Sequence, residues 1–219
     1  AALLATDDLR VYSIEAWAKY TGAANYDQPH HRDYLAHTLL VPTRDPRFRE
    51  VEMFLYLTDV PPTLGPPSFV PRRFTQGLPA LPNWYPRGDA EVDPDHPTWG
   101  SPSGRPDLYE EEVSAQGPAG TVVAYALDTF HRGTQLTEPR GARYTLHVTF
   151  RAGTSDWTSR RAWTDRANTV EWHEFVTSAS IRQLELFGFP AHGHPYWTPE
   201  TLAGVALRYP GLDPSAWQT

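Results

Sequence analysis

The run Tyr26-Asp27-Gln28-Pro29-His30-His31-Arg32-Asp33-Tyr34 decides how this chain is read. Side chains on an extended strand alternate between faces, so a His-x-Asp puts the His31 imidazole and the Asp33 carboxylate on one side. His131 supplies a second imidazole once a distant strand is brought alongside. Two neutral nitrogens and one carboxylate oxygen then form a 2-His-1-carboxylate facial triad, which suits non-haem Fe(II) and leaves the opposite positions open. His30 competes with His31 but lacks the spacing that shares a face with Asp33. His31, Asp33 and His131 are therefore the expected metal ligands.

Three further stretches surround this signal. Thr121 to Thr134 reads as a buried strand that delivers His131 into a Gly-containing turn. Gly141 to Arg151 is a period-2 strand opening with Arg143, and Val51 to Asp59 is a strand that leads into Leu64-Gly65-Pro66-Pro67-Ser68-Phe69-Val70-Pro71. With these on the page, residues 25 to 151 resemble the phytanoyl-CoA dioxygenase family of Fe(II)/2-oxoglutarate oxygenases. The matching pattern is His-x-Asp, a Gly-Pro turn into a Val-Pro segment, then a distal His followed about a dozen residues on by Arg. The resemblance implies a mainly β, double-stranded β-helix (a cupin-like jelly roll) with flanking helices, and Fe(II) with 2-oxoglutarate as co-substrate. It also implies Arg143 on the distal carboxylate of 2-oxoglutarate, where a guanidinium fork gives two parallel hydrogen bonds. Arg140 and Arg151 are alternatives, and Thr134 lies where the family often places a hydroxyl near the same carboxylate.

Composition narrows the function. At 219 residues, 40% hydrophobic and 13% aromatic, the chain is long enough for one globular domain, residues 1–219. A net charge of −7 with scattered basic residues argues against nucleic acid or an anionic membrane as partner. The absence of cysteine excludes disulfides and thiolate ligands, so any metal must be held by His and carboxylate. No run approaches the ~20 apolar residues of a membrane span. Ala1-Ala-Leu-Leu-Ala5 is too short for a signal peptide, so a cytoplasmic protein is expected. The chain starts without Met, and members of the resembled family carry more N-terminal sequence, so an N-terminally trimmed chain is expected.

Element by element, residues 9–19 read as strand or helix, 33–41 as a strand, and 51–58 as a central strand. Residues 108–114 and 121–127 read as strands joined by the turn Gly117 to Gly120. Residues 72–106 are a long Pro-, Gly- and Trp-rich loop, either a wall over the substrate pocket or a surface excursion packed by Trp84, Tyr85 and Trp99. If Arg143 points into the barrel, the apolar face of 142–150 points outward, and helical sequence at 171–188, within a C-terminal cover over 165–219, is expected to shield it. His-Arg-Asp-Tyr-Leu at 31–35 resembles a kinase catalytic loop, but Thr38 stands where its Asn belongs. His192 and His194 read as a surface turn, His147 and His173 as structural, and Asp107 with Glu110, Glu111 and Glu112 as a solvated charge run.

The expected activity is hydroxylation of a small organic molecule with O2, releasing succinate and CO2. Asp33, where Ala or Gly would open a slot for chloride, favours hydroxylation over halogenation. The rivals are a 2-oxoglutarate-independent non-haem iron enzyme and a non-catalytic binding protein on the same barrel.

Overall fold

The computed structural model describes residues 3–22, 25–88, 100–158 and 167–218. Residues 89–99 of the long loop, Trp99 included, and residues 165, 166 and 219 of the expected C-terminal cover lie outside these. In chain order the elements are β1 (Leu9–Tyr20), β2 (His30–His31), α1 (Tyr34–His37), β3 (Glu50–Tyr56), β4 (Pro67–Phe69) and β5 (Trp84–Tyr85). There follow α2 (Pro106–Glu110), β6 (Val113–Ser114), β7 (Val122–Ala126), β8 (His131–Gly133) and β9 (Ala142–Ala152). The chain continues through α3 (Val170–Ser178), α4 (Ile181–Glu185) and α5 (Pro199–Arg208). Among the described residues no helix is long and apolar enough to cross a membrane.

The strands form a four-stranded sheet, β1-β9-β3-β7, and a five-stranded sheet, β5-β2-β8-β4-β6. From β1 to β4 the chain switches sheet at every strand, and it does so again from β6 to β9. The ladders within both sheets are antiparallel. This is the double-stranded β-helix, the jelly roll that closes two sheets on each other.

The four-stranded sheet follows period-2 patterning. On β3, Glu50, Glu52, Phe54 and Tyr56 face inward and are buried. On β9, Arg143, Thr145 and Thr149 are buried while Tyr144 between them is exposed. Phe54 and Tyr125 meet Phe69 of the opposite sheet at ring-centroid distances of 6.2 and 4.8 Å, so aromatic packing fills one part of the gap between the sheets.

Several sequence expectations are corrected. Residues 33–41 are not a strand: Asp33 has helical φ/ψ and begins the single turn α1. Residues 108–110 are helical, in α2, and only Val113–Ser114 pair as strand. His131 does not end β7, because a turn at 127–130 carries the chain to the other sheet and His131 opens β8. Residues 9–19 are strand throughout, in β1.

The helical cover lies elsewhere than expected. Trp172, Val176 and Leu184 pack with Tyr34, Leu35, Leu39, Phe48, Leu127 and Trp157 in the main apolar cluster. The α1 turn presents Tyr34 and Leu35 as an apolar seat that a strand over 33–41 would not offer. The outward face of the four-stranded sheet keeps Ile14, Val122 and Tyr144 exposed.

Candidate metal centre

β2 and β8 are hydrogen-bonded neighbours, and His31 stands directly opposite His131. Their rings lie 4.5 Å apart at the centroids. Asp33 joins them by a different route from simple strand alternation. The chain leaves β2, takes up helical φ/ψ at Asp33, and swings the carboxylate beneath both imidazoles. Asp33 Oδ1 is 3.6 Å from His31 Nε2 and Oδ2 is 3.2 Å from His131 Nε2. The ligating atoms of the three residues all lie within 4.8 Å of one another, a cluster that could hold a metal ion.

Each imidazole is pre-oriented by its own strand. His31 Nδ1 is 3.0 Å from the Pro29 carbonyl and His131 Nδ1 is 3.0 Å from the Thr129 carbonyl. A carbonyl can only accept, so both Nδ1 atoms carry the proton and donate, leaving the Nε2 lone pairs aimed at the centre. Burial lowers the His31 pKa, and nearby His131 adds to this, favouring the neutral ring that a metal needs. His131 is raised: burial opposes charge there, but contact with Asp33 outweighs it. Burial pushes the Asp33 carboxyl up, yet His131, His31 and His37 together hold it well below the usual carboxylate range. Tyr125 donates to Asp33 Oδ2 at 3.0 Å, which fixes the carboxylate from the β7 side.

The pocket around the triad has a cationic end. Arg143, 9% exposed, lines it, and Lys19 on β1 stands directly opposite Arg143 on β9. Lys19 is 2% exposed and donates to the Tyr26 and Thr134 carbonyls, while Arg143 donates to the Gly65 carbonyl. Among the described residues no carboxylate comes within ion-pair distance of either. Burial, with Arg143 adding to it, lowers the Lys19 pKa to about 8. Two buried cations side by side make an incomplete site that an anion would complete.

The other expected residues fall as follows. Thr134 does not line the pocket; its hydroxyl donates to Pro66 at 2.7 Å and its carbonyl accepts from Lys19. Arg151 pairs with Asp156 at 3.1 Å, and Arg140 is exposed, so neither reaches the triad pocket. His30 faces away from the triad, fully buried, with Nε2 2.9 Å from Glu112. Glu112 also takes two hydrogen bonds from Arg132, so it is not part of a solvated run. His147 lines the pocket, contacts Glu52 at 3.1 Å and stacks on Phe54 at 3.8 Å. Among the described residues of the 72–106 loop none lines this pocket; the Trp84–Tyr85 portion adds β5 beside β2.

Sequence reasoning missed Lys19, Tyr125 and Glu52 in this pocket. Lys19 carried one signal, as the single lysine among 19 basic residues. Its meaning needed the β1–β9 register. Glu52 also forms a second cluster of ligating atoms with Asp33 and His37.

No family model and no curated protein matches the chain. Among solved structures it is similar to EctD from S. alaskensis with bound Fe, at 17% identity and TM-score 0.48, over 73% of this chain and 52% of that one. It is also similar to EvdO2 from Micromonospora carbonacea var. aurantiaca, at 16% identity and TM-score 0.47, over 67% and 53%. The epimerase SnoN in complex with Fe3+, alpha ketoglutarate and nogalamycin RO gives 21% identity and TM-score 0.46, over 67% and 51%. The chain spans about half the length of these three structures.

Proposed function

We propose that this chain is an Fe(II)- and 2-oxoglutarate-dependent oxygenase that hydroxylates a small organic molecule, along the lines of the phytanoyl-CoA dioxygenase family. The observation that carries this reading is the convergence of His31, Asp33 and His131, with both Nε2 lone pairs turned inward. The donor set fits Fe(II): two imidazoles, one ionised carboxylate and no thiolate. Iron held there would supply, with 2-oxoglutarate and O2, the oxidising chemistry whose by-products are succinate and CO2.

The residues divide the remaining work. His31, Asp33 and His131 would hold the metal. Arg143 offers the guanidinium fork to the distal carboxylate of 2-oxoglutarate, and Lys19 adds a second positive charge from the adjacent strand. The Thr134 carbonyl, bonded to Lys19, fixes where that ammonium sits. Tyr125 holds one oxygen of Asp33, leaving the other for the metal. Phe54 and Tyr125 wall the pocket with aromatic surface that limits water.

The experiment is succinate release by the purified chain given Fe(II), 2-oxoglutarate and O2, alongside an anaerobic titration that follows the metal-to-ligand absorption of the Fe(II)–2-oxoglutarate pair. Succinate that depends on both additions, and is lost in Asp33→Ala, supports the reading. Metal binding without the absorption band or succinate would point to a 2-oxoglutarate-independent iron enzyme. Neither metal nor 2-oxoglutarate binding would leave a binding protein.

A further inference from the structure

A second cavity, of about 610 Å³, lies against the segment that carries the metal ligands. It shares no lining residue with the triad pocket: Arg32 lines it, while His31 and Asp33 line the other. Its walls are the 41–44 segment, residues 72 and 75–80, residues 128 and 130, and one side of α5. Val41, Leu78, Phe130 and Leu207 give it apolar surface, and its size falls in the range of small-molecule sites.

Its charges do not balance. Three arginines, Arg32, Arg44 and Arg72, face two carboxylates, Asp128 and Glu200. Asp128 pairs with Arg72 at 2.9 Å and Glu200 pairs with Arg44 at 3.2 Å, so each carboxylate already has a partner. Arg32, only 6% exposed, has no carboxylate within ion-pair distance among the described residues, though Asp128 acts on it through space. Its Nη2 donates to the Pro79, Ala80 and Pro82 carbonyls, and its guanidinium lies 4.5 Å over the Phe130 ring. Its Nε is buried without a hydrogen bond, and Nη1 makes none among the described residues. A permanently charged group held in the cavity wall with Nη1 unspent calls for an acceptor that carries negative charge.

We infer that this cavity is a binding site for an organic carboxylate: an apolar body against Val41, Leu78 and Leu207, and a carboxylate on Nη1 of Arg32. The site is separate from the pocket proposed for 2-oxoglutarate. Its occupant would touch Arg32, flanked in the chain by two metal ligands, and Phe130, which immediately precedes the third.

The test uses hexanoate, 4-phenylbutyrate and indole-3-acetate as probes, with their neutral amides, titrated calorimetrically into the Zn(II)-loaded protein saturated with 2-oxoglutarate. At least one carboxylate is expected to bind tenfold or more tightly than its amide. Arg32→Gln should erase that preference. Because Arg32 also ties the 79–82 backbone, Ala203→Trp on the far wall serves as a second variant; it leaves those ties intact and should block binding by filling the cavity. Absence of binding by all three carboxylates, equal binding of carboxylate and amide, or undiminished binding to Ala203→Trp would overturn the inference. So would loss of probe binding on adding 2-oxoglutarate, which would put the probes in the triad pocket.

Discussion

At the scale of single residues, the candidate centre rests on orientation set before any ligand arrives. Arg143→Lys keeps the charge but loses the two-point fork, and loss of a charge-assisted hydrogen bond in a dry site is worth about 1.5–3 kcal/mol. The 2-oxoglutarate dissociation constant should therefore rise roughly ten- to a hundredfold, while metal affinity stays close to wild type. Anaerobic absorption titrations on the variant measure both. Lys19 adds a pH signature. With its pKa lowered to about 8, its charge is present below that pH and fades above it, so co-substrate affinity should fall as pH rises through 8. Lys19→Met should bind more weakly at pH 7 and lose this dependence; an unchanged pH profile in Lys19→Met would falsify a role for the ammonium. That His31, Asp33, His131 and Arg143 come together around one pocket was legible, the first three from type and spacing and Arg143 through the family resemblance. Lys19 and Tyr125 were not, since nothing local tells a strand lysine or tyrosine which neighbour it will face across a sheet.

At the scale of elements, the turn before β4 shows how tightly the strands around the site are set. Gly65 adopts φ +62°, and a Cβ there would stand 2.4 Å from the Thr134 carbonyl oxygen, the atom that also accepts from Lys19. The Gly65 carbonyl itself accepts from Arg143. Gly65→Ala therefore combines left-handed strain with a backbone clash and should cost about 2–4 kcal/mol. It should also weaken 2-oxoglutarate, because both cations at the pocket end are anchored to the displaced segments. Denaturant melts and the same absorption titration read the two effects separately. The long strands β3 and β9 declared themselves through alternation over many residues. The two- and three-residue strands β2, β4, β5 and β8 did not, because so short a stretch has no period to read. Asp33 shows the cost of relying on alternation: the pairing with His31 was right, but the route is a helical turn, selected when Tyr34 and Leu35 bury against the C-terminal helices.

At the scale of the whole molecule, ionisable groups buried in the barrel make stability depend on pH. Glu50 is fully enclosed, accepts a 2.6 Å hydrogen bond from Thr158, and is pushed up to about 7, chiefly by burial with Asp128 adding to it. A carboxyl whose folded pKa exceeds its unfolded value of 4.5 favours the fold while protonated. Its contribution is complete below about pH 4.5 and is lost as pH rises to 7, a change on the order of 3 kcal/mol. Glu50→Gln, which can keep the Thr158 contact, should flatten this loss between pH 5 and 8 in thermal melts.

The strand order also governs time. β1 finds its partner in β9 and β2 finds its partner in β8, so each closure spans most of the barrel sequence. Chains dominated by such distant pairings fold slowly, since loop entropy is lost before contacts reward it. The metal cluster spans residues 31–33 and 131, across one of these distant closures. If that closure forms after the folding barrier, a bound divalent ion acts on the native state and not on the transition state. Zinc should leave the refolding rate nearly unchanged and slow unfolding in proportion to its affinity, turning the centre into a latch on the lifetime of the folded barrel. Stopped-flow refolding and unfolding with and without Zn(II) would show whether the ion acts on one arm of the kinetics or on both.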